Sequence, residues 1–283
     1  MSNENDNPND DGMQPIHEAT QNGDIEKMAA LLDAGTDIET PDDGGSSPLC
    51  YAILGKKLAA MQFLIKRGAN ANAWFTHRIS ALQACTINGD IEMMTILLDA
   101  GADIENLSDE YETPLCSAVA YKQPEAAKLL LERGANVHVR NKDGCMPLHN
   151  AAFSGSIESM EALLDAGADI ESRCNSGETP LHYAIYHKKP EVMKFLLEKG
   201  ANVHARNNKG RTAMHMVVFL GATDEKDLAK QAIEKMKILF NQEININVRY
   251  REGITPLHLT ASTVNVEMMT LLLDRGADIE AQD

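Results

Sequence analysis

Histidine and cysteine side chains are the groups of this 283-residue chain that could coordinate a metal ion or act as nucleophiles. Both roles need several such groups within a few ångströms of one another. Five of the nine histidines end a recurring four-residue signature: His17, His149, His182, His215 and His258. His138 and His204 lie two repeats apart, about 20 Å for helical layers packed ~10 Å apart. The spacing therefore predicts no metal site shared by these histidines.

The five cysteines carry no metal-binding or redox motif. They are odd in number, include no Cys-x-x-Cys pair and stand in unrelated positions of the repeats: Cys50, Cys85, Cys116, Cys145 and Cys174. This indicates free thiols in a reducing compartment. The chain also contains no phosphate-binding loop, no His-Glu-x-x-His and no Gly-x-Ser-x-Gly. We therefore predict that the protein has no catalytic residues, binds no cofactor and is not an enzyme.

The signature, read best as Thr-Pro-Leu-His, organises the whole chain. It recurs every 33 residues and once after 43, with its second residue at Pro15, Pro48, Ala81, Pro114, Pro147, Pro180, Ala213 and Pro256. A fixed period of this length means that each unit is one supersecondary element, which buries its apolar face only against its neighbours. The sequence therefore predicts a stack of repeats.

Each repeat has the pattern of two short helices, as the fifth shows. Pro147 fits the first turn of a helix, and Gly155 is placed to end that helix in the left-handed conformation. The second helix carries apolar side chains at i, i+3 and i+4, namely Met160, Leu163 and Leu164. This is the buried stripe of an amphipathic helix.

The signature followed by Leu-Leu-x-x-Gly-Ala-Asp at this period resembles the ankyrin repeat, over about residues 11 to 283. The resemblance implies an all-α repeat solenoid, a curved stack in which each unit is a β-turn finger plus two antiparallel helices. It divides the chain into a disordered tail, 1–10, and eight repeats: 11–43, 44–76, 77–109, 110–142, 143–175, 176–208, 209–251 and 252–283. It also implies that the signature histidines tie neighbouring turns together.

The repeats depart from one pattern in three ways. Gln83, Cys50 and Cys116 replace the signature histidine, which predicts locally reduced rigidity. Repeats ending in Asp-Ile-Glu alternate with repeats ending in Ala-Asn-Val-His or a similar run, and the latter carry lysine where the former have glycine between the helices: Lys56, Lys122 and Lys188. In the seventh repeat, ten extra residues after Gly221 predict a lengthened second helix, with a disordered loop as the alternative.

Charge and hydropathy exclude two classes of partner. The formal net charge of −16 provides no basic field for a nucleic acid. No stretch approaches 18 consecutive apolar residues, so no membrane span is expected. The first residues lack the basic and apolar regions of a secretory signal. We expect a cytoplasmic protein, with the nucleus, or export without a Sec-type signal, as alternatives.

A column of residues on the fingers is the candidate partner-binding surface. Counted six positions after the glycine that ends each second helix (Glu243 in the seventh repeat), it holds Pro41, Trp74, Leu107, Arg140, Arg173, Arg206 and Arg249. Phe75, Tyr111 and Tyr250 lie beside it, and Trp74 with Phe75 is expected in an exposed turn. Aromatic and arginine side chains are the usual anchors of interfaces. The column suits an acidic amphipathic segment of a partner; alternatively, the arginines only solvate the fingers.

The resemblance implies a protein–protein interaction scaffold or adaptor that binds on its fingers and first helices. One alternative is a regulatory or targeting region of a longer protein, such as a secreted effector or enzyme, whose active part lies outside this chain. The eighth repeat keeps the apolar run Leu271–Leu273 where a terminal repeat normally presents polar residues. That face predicts further protein, a partner or self-association. An enzyme with a site on the scaffold is the weakest hypothesis.

Overall fold

The computed structural model describes residues 13–75, 79–108, 112–221, 226–251, 253–263 and 265–282. The predicted tail, residues 1–10, lies outside these ranges. Two compact units divide the chain after Asn136. Within the described residues both are all-helical, and their only strand pairings are the isolated bridges Trp74–Ser80 and Tyr250–Ile254. The predicted class, an all-α repeat solenoid of ankyrin type, is confirmed.

Each unit consists of helix pairs. The first unit contains α1 Pro15–Asn22, α2 Ile25–Asp33, α3 Pro48–Leu54, α4 Leu58–Lys66, α5 Ala81–Asn88, α6 Ile91–Asp99, α7 Pro114–Ala120 and α8 Pro124–Glu132. The second contains α9 Pro147–Ser154, α10 Ile157–Asp165, α11 Pro180–Tyr186, α12 Pro190–Glu198, α13 Ala213–Gly221, α14 Lys226–Leu239, α15 Pro256–Ser262 and α16 Val266–Asp274. In each unit the first helix of a repeat packs on its own second helix and on the first helix of the next repeat.

In two of the second helices, α10 and α4, the last residue of the predicted buried stripe is only half-buried. In α10, Met160 and Leu163 are fully buried, whereas Leu164 is half-buried. The same holds in α4, where Met61 and Leu64 are inaccessible and Ile65 is half-buried. Burying a leucine side chain completely stabilises the fold by roughly 1.5–3 kcal/mol. In these two helices the i+3 residue therefore contributes more packing energy than the i+4 residue.

The seventh repeat has the predicted longer second helix. α14 contains 14 residues, whereas α12 before it and α16 after it contain nine. The expected helix start at residues 223–225 lies outside the described residues. Ala232, Met236 and Leu239 are buried, so the insertion keeps an apolar stripe.

A buried lysine joins α14 to the preceding repeat. Lys235 Nζ donates a hydrogen bond of 3.1 Å to the Ile185 carbonyl, in the last turn of α11. A cation suits the negative end of a helix dipole. Burial, together with the charge of Lys188, nevertheless lowers the pKa of Lys235 to about 8.

The alternation of repeat types has a physical basis in the turns between repeats. The glutamate of an Asp-Ile-Glu repeat accepts the backbone N–H of the asparagine that opens the corresponding turn of the next repeat. The Oε1···N distance is 2.7 Å in each pair: Glu39 with Asn70, Glu105 with Asn136, and Glu171 with Asn202. Each repeat of one type is thus hydrogen-bonded to a following repeat of the other type. The recurring contact explains a period of two repeats.

The lysines that replace glycine adopt a strained backbone. Gly23, Gly89 and Gly155 end a first helix with φ of 72–85°, and the equivalent positions 33 residues later hold lysines with positive φ: Lys56, Lys122 and Lys188, at 52°, 56° and 58°. A left-handed conformation brings Cβ too close to the following carbonyl oxygen, which costs roughly 1–2 kcal/mol.

Lys122→Gly is expected to raise the free energy of unfolding by about 0.5–1 kcal/mol, because relief of the Cβ contact exceeds the added chain entropy of glycine. Chemical denaturation measures the change. The matched control is Lys66→Gly in α4, where φ is helical and glycine should cost about 1 kcal/mol. Equal destabilisation by both variants would contradict the proposed strain.

Candidate functional site

The signature histidines make structural hydrogen bonds through Nδ1, and His149 and His17 do so through both ring nitrogens. In α9, His149 Nδ1 accepts the Met146 backbone N–H at 3.2 Å, so the ring proton lies on Nε2. Nε2 then donates to the Glu178 carbonyl at 3.1 Å. His17 bonds in the same way to Gln14 and Thr40. A ring with both nitrogens occupied has no lone pair left for a metal ion, and the described residues contain no His, Cys, Asp and Glu group that could hold one.

The substitution of histidine in the third repeat does not remove these bonds, contrary to the sequence prediction. Gln83 Oε1 accepts the Ser80 N–H at 3.1 Å, and Gln83 Nε2 donates to the Glu112 carbonyl at 2.6 Å. In the second repeat Cys50 Sγ donates to the Trp74 carbonyl at 3.3 Å, which supplies the link to the next turn. The expected loss of rigidity is therefore wrong for Gln83, and Cys50 compensates in part.

The thiols of Cys50, Cys85, Cys116 and Cys145 are poor nucleophiles. Burial raises the pKa of Cys50, Cys116 and Cys145 to about 11 and that of Cys85 to about 12. Thiolate is the reactive form of cysteine, so these groups are almost wholly protonated at neutral pH.

In the first unit the predicted aromatic anchor is less accessible than expected. Trp74 pairs with Ser80, and the Phe75 N–H donates to the Ile79 carbonyl at 2.9 Å, which closes a short hairpin. Both side chains are half-buried, so the expected exposed turn is corrected. Leu107 is exposed at 44% of its surface. Tyr111 lies outside the described residues.

In the second unit the predicted arginine column forms a ladder of contacts between fingers. Arg140 Nη1 donates to the Gly144 carbonyl at 2.9 Å and to the Arg173 carbonyl at 2.8 Å. Arg173 Nη2 donates to the Arg206 carbonyl, and Arg206 Nη1 donates to the Arg249 carbonyl at 2.8 Å. We call these four residues the arginine ladder. The first three guanidinium groups tie each finger to the next, and all four side chains remain exposed, so the ladder does more than solvate the fingers.

Sequence reasoning missed a second set of exposed groups, at the ends of the first helices. Phe153 in α9 and Tyr186 in α11 occupy the same position, six residues after the signature proline, and are 52% and 60% exposed. The His187 ring packs edge-on against both, with ring centroids 4.4 Å from Phe153 and 5.0 Å from Tyr186. We call Phe153, Tyr186 and Phe219, their equivalent in α13, the aromatic row. Large apolar residues at a position for which the signature sets no requirement were the signal available in the sequence.

Side chains of the fingers contact the aromatic row directly. The Arg211 guanidinium carbon lies 3.8 Å from the centre of the Phe219 ring. Tyr250, predicted as a site residue, is half-buried with its ring centroid 6.1 Å from that of Phe219 and 5.0 Å from that of His215. At Phe219, side chains of the fingers and the aromatic row therefore share one surface of the second unit. That surface offers cationic donors beside large apolar rings.

Comparisons with known proteins agree with this architecture. A family model described as ankyrin repeats (3 copies) matches residues 1–74, 74–141, 115–207 and 202–283. The chain is 34% identical over 117 residues to the E3 ubiquitin-protein ligase KEG of Arabidopsis thaliana. The aligned region covers 40% of this chain and 7% of that protein. It is also 33% identical over 111 residues to the B-cell lymphoma 3 protein homolog of Mus musculus. That alignment covers 39% of this chain and 25% of the mouse protein.

Among solved structures, the human ASB11 ankyrin repeat domain superposes with a TM-score of 0.64 at 24% identity, over 79% of this chain and 98% of that one. This is a likeness of fold. The aligned part spans a quarter or less of the two curated relatives, so their activities belong to proteins of greater extent. Among the described residues, no helix combines the length and apolar character needed to cross a membrane.

Proposed function

The chain belongs to the ankyrin-repeat family, and we propose that it is a protein-binding scaffold or adaptor whose contact surface is formed by the arginine ladder and the aromatic row of the second unit. Ankyrin repeats are a protein–protein interaction module. The observation that carries the proposal is the exposure of Phe153 and Tyr186 on a unit whose fingers carry exposed guanidinium groups held by backbone carbonyls. Exposed neighbouring aromatic rings mark interaction sites in soluble proteins.

The chemistry of this surface favours an acidic amphipathic segment as the partner. Phe153 and Tyr186 would bury its apolar side chains, and the arginine ladder would meet its carboxylates. Because Arg140 and Arg206 are already held by backbone carbonyls, they lose little side-chain entropy on binding. The net charge of −16 would repel an acidic partner, so such a partner needs a local positive surface at which to bind.

Simultaneous Phe153→Ala and Tyr186→Ala substitution is expected to weaken partner binding by about 30-fold or more, since central aromatic anchors contribute ≥ ~2 kcal/mol. The thermal midpoint should change little, because both rings are exposed. Random peptides selected on the wild-type protein from a displayed library provide the ligand, and we expect them to be acidic with aromatic or leucine residues at helical spacing.

The matched control is Leu54→Ala with Tyr121→Ala, which removes two exposed apolar side chains at the first-helix ends of the first unit. This control should bind the selected peptides as the wild type does. Peptides that bind the Phe153/Tyr186 variant equally well, or selected sequences without acidic residues, would refute this surface.

A second candidate function is that of a targeting or regulatory region within a longer protein. The curated relatives extend well beyond the aligned repeats, which favours this possibility. The eighth repeat supports it as well, because a cleft of about 180 Å³ is lined there by apolar side chains that include Leu257, Met269 and Ile279. Further repeats, a partner or a second copy of the chain would cover that face.

A further inference from the structure

Two cysteines of the second unit lie on adjacent fingers that hydrogen bonds hold in register. The Asn175 N–H donates to the Asp143 carbonyl at 2.9 Å, and Asn175 Nδ2 donates to the Lys142 carbonyl at 3.1 Å. A Cβ built on Gly144 would lie only 3.0 Å from the Asn175 nitrogen. Cys145 follows Gly144 and Cys174 precedes Asn175, so the closest approach of the fingers is immediately beside both thiols.

The same pair of positions is in contact one repeat later. Residues 33 further along are Glu178 and Asn207, and their side chains meet at 3.5 Å between Oε1 and Nδ2. At the cysteine pair, Cys145 Sγ lies 2.8 Å from Tyr183 Oη and Cys174 Sγ lies 3.0 Å from Ser176 Oγ. The Cys174 thiol also interacts with the thiol of Cys145 and with the phenol of Tyr183. These interactions add to burial in raising the pKa of Cys145 and that of Tyr183. The two thiols therefore share one buried polar cluster.

We propose that Cys145 and Cys174 are a site of reversible oxidation that closes a disulfide between the two fingers. This inference is independent of the protein-binding function. It assigns a role to two cysteines for which the sequence predicted only free thiols.

A small-molecule disulfide such as oxidised glutathione supplies the oxidant. The Cys174 thiolate, at the more exposed of the two cysteines, attacks one sulfur of the reagent, whose S–S bond breaks to release one thiolate. The Cys145 thiolate then attacks Cys174 Sγ and expels the second reagent thiolate. Two electrons pass to the reagent, and the two protons lost by the cysteines end on the released thiols.

The remaining cysteines serve as internal controls. Cys85 and Cys116 are buried within α5 and α7, and Cys50 within α3 donates to the Trp74 carbonyl. None of the three is flanked by a hydrogen-bonded finger backbone as Cys145 and Cys174 are, since each lies within a helix. They should stay reduced under conditions that oxidise the pair.

The test incubates the folded protein in glutathione buffers from reducing to oxidising, blocks free thiols after denaturation, and maps peptides without reduction. We expect a Cys145–Cys174 cross-linked peptide, loss of two alkylatable thiols out of five, and a higher thermal midpoint that dithiothreitol reverses. Cys174→Ser and Cys145→Ala should each abolish the cross-link and the midpoint shift. Cys116→Ser should preserve both.

Glutathione attached to Cys174 with no cross-link, or disulfides that pair the five cysteines at random, would overturn the proposal. If a single-cysteine variant unfolds, the wild-type peptide map alone decides the question, because it requires no substitution.

Discussion

Lowering the pH from about 6.5 to 4 is expected to destabilise the protein by several kcal/mol, through proton uptake at His182 and His215. Both rings are buried, and burial lowers the pKa of each to about 4 from an ordinary value of 6.5. The unfolded chain binds these protons near pH 6.5, whereas the folded protein binds them only near pH 4. Unfolding therefore takes up protons in this window, and stability falls as the pH falls.

The magnitude follows from the two shifts. One pKa unit corresponds to about 1.36 kcal/mol, so each histidine accounts for about 3 kcal/mol by the time the pH reaches 4. Above pH 6.5 both histidines are neutral in both states, and this contribution to stability is fully present. Two such residues together amount to a large part of the roughly 5–15 kcal/mol stability of a typical domain.

The chain offers a substitution that removes the titration while keeping the hydrogen bond that Nδ1 of His182 and of His215 accepts from the backbone N–H of Thr179 and of Thr212. Gln83 makes both the N–H and the carbonyl contacts of a signature histidine without an ionisable ring. His182→Gln with His215→Gln should therefore flatten the pH dependence of the free energy of unfolding between pH 6.5 and 4. Denaturant titrations at several pH values measure it. His204→Gln, which exchanges an exposed imidazole for an amide, is the control for the substitution itself.

If the double glutamine variant loses stability with acid as steeply as wild type, carboxylate protonation and not the histidines governs acid unfolding. If it is already destabilised at pH 7 by more than the single control, glutamine does not reproduce the histidine bonds at these positions.

The sequence was sufficient for the architecture because repeat periodicity and helix signals express local physics. Pro147 and Gly155 mark helix ends through their own backbone preferences, and the insertion after Gly221 keeps a helical stripe that packs. The burial of Leu163 instead of Leu164 was not accessible in this way. Both residues satisfy the same periodicity, and only packing against neighbouring helices distinguishes them.

The candidate surface was predictable in part. Arg140 and its equivalents were identified by column, but their hydrogen bonds to carbonyls of the next finger depend on how the turns are stacked. Trp74 drew attention by size alone, and its hairpin half-buries it. Phe153 and Tyr186 escaped notice because a helix-end position without a consensus residue looks uninformative until its exposure is known.

Leu163→Ala in α10 is expected to lower the free energy of unfolding by about 2–5 kcal/mol, the largest effect of a single substitution that we predict. The side chain is completely inaccessible within a nine-residue helix. Because protein interiors are close-packed, the neighbouring side chains must shift before they can fill the space that alanine leaves. The cost combines the lost transfer free energy of the side chain with that of the cavity left behind. Chemical denaturation gives both the midpoint and its slope.

Leu164→Ala is the matched control, since it removes the same atoms one position along the same helix. Leu164 is half-buried, so its loss should cost clearly less than that of Leu163. An equal or reversed order would show that α10 is rotated relative to its neighbours. A smaller m-value, the slope of the free energy of unfolding against denaturant concentration, would indicate a second effect, because stability in a repeat array is a sum over repeats and their interfaces. A cavity in the fifth repeat that uncouples its neighbours would reduce the surface exposed in one cooperative step.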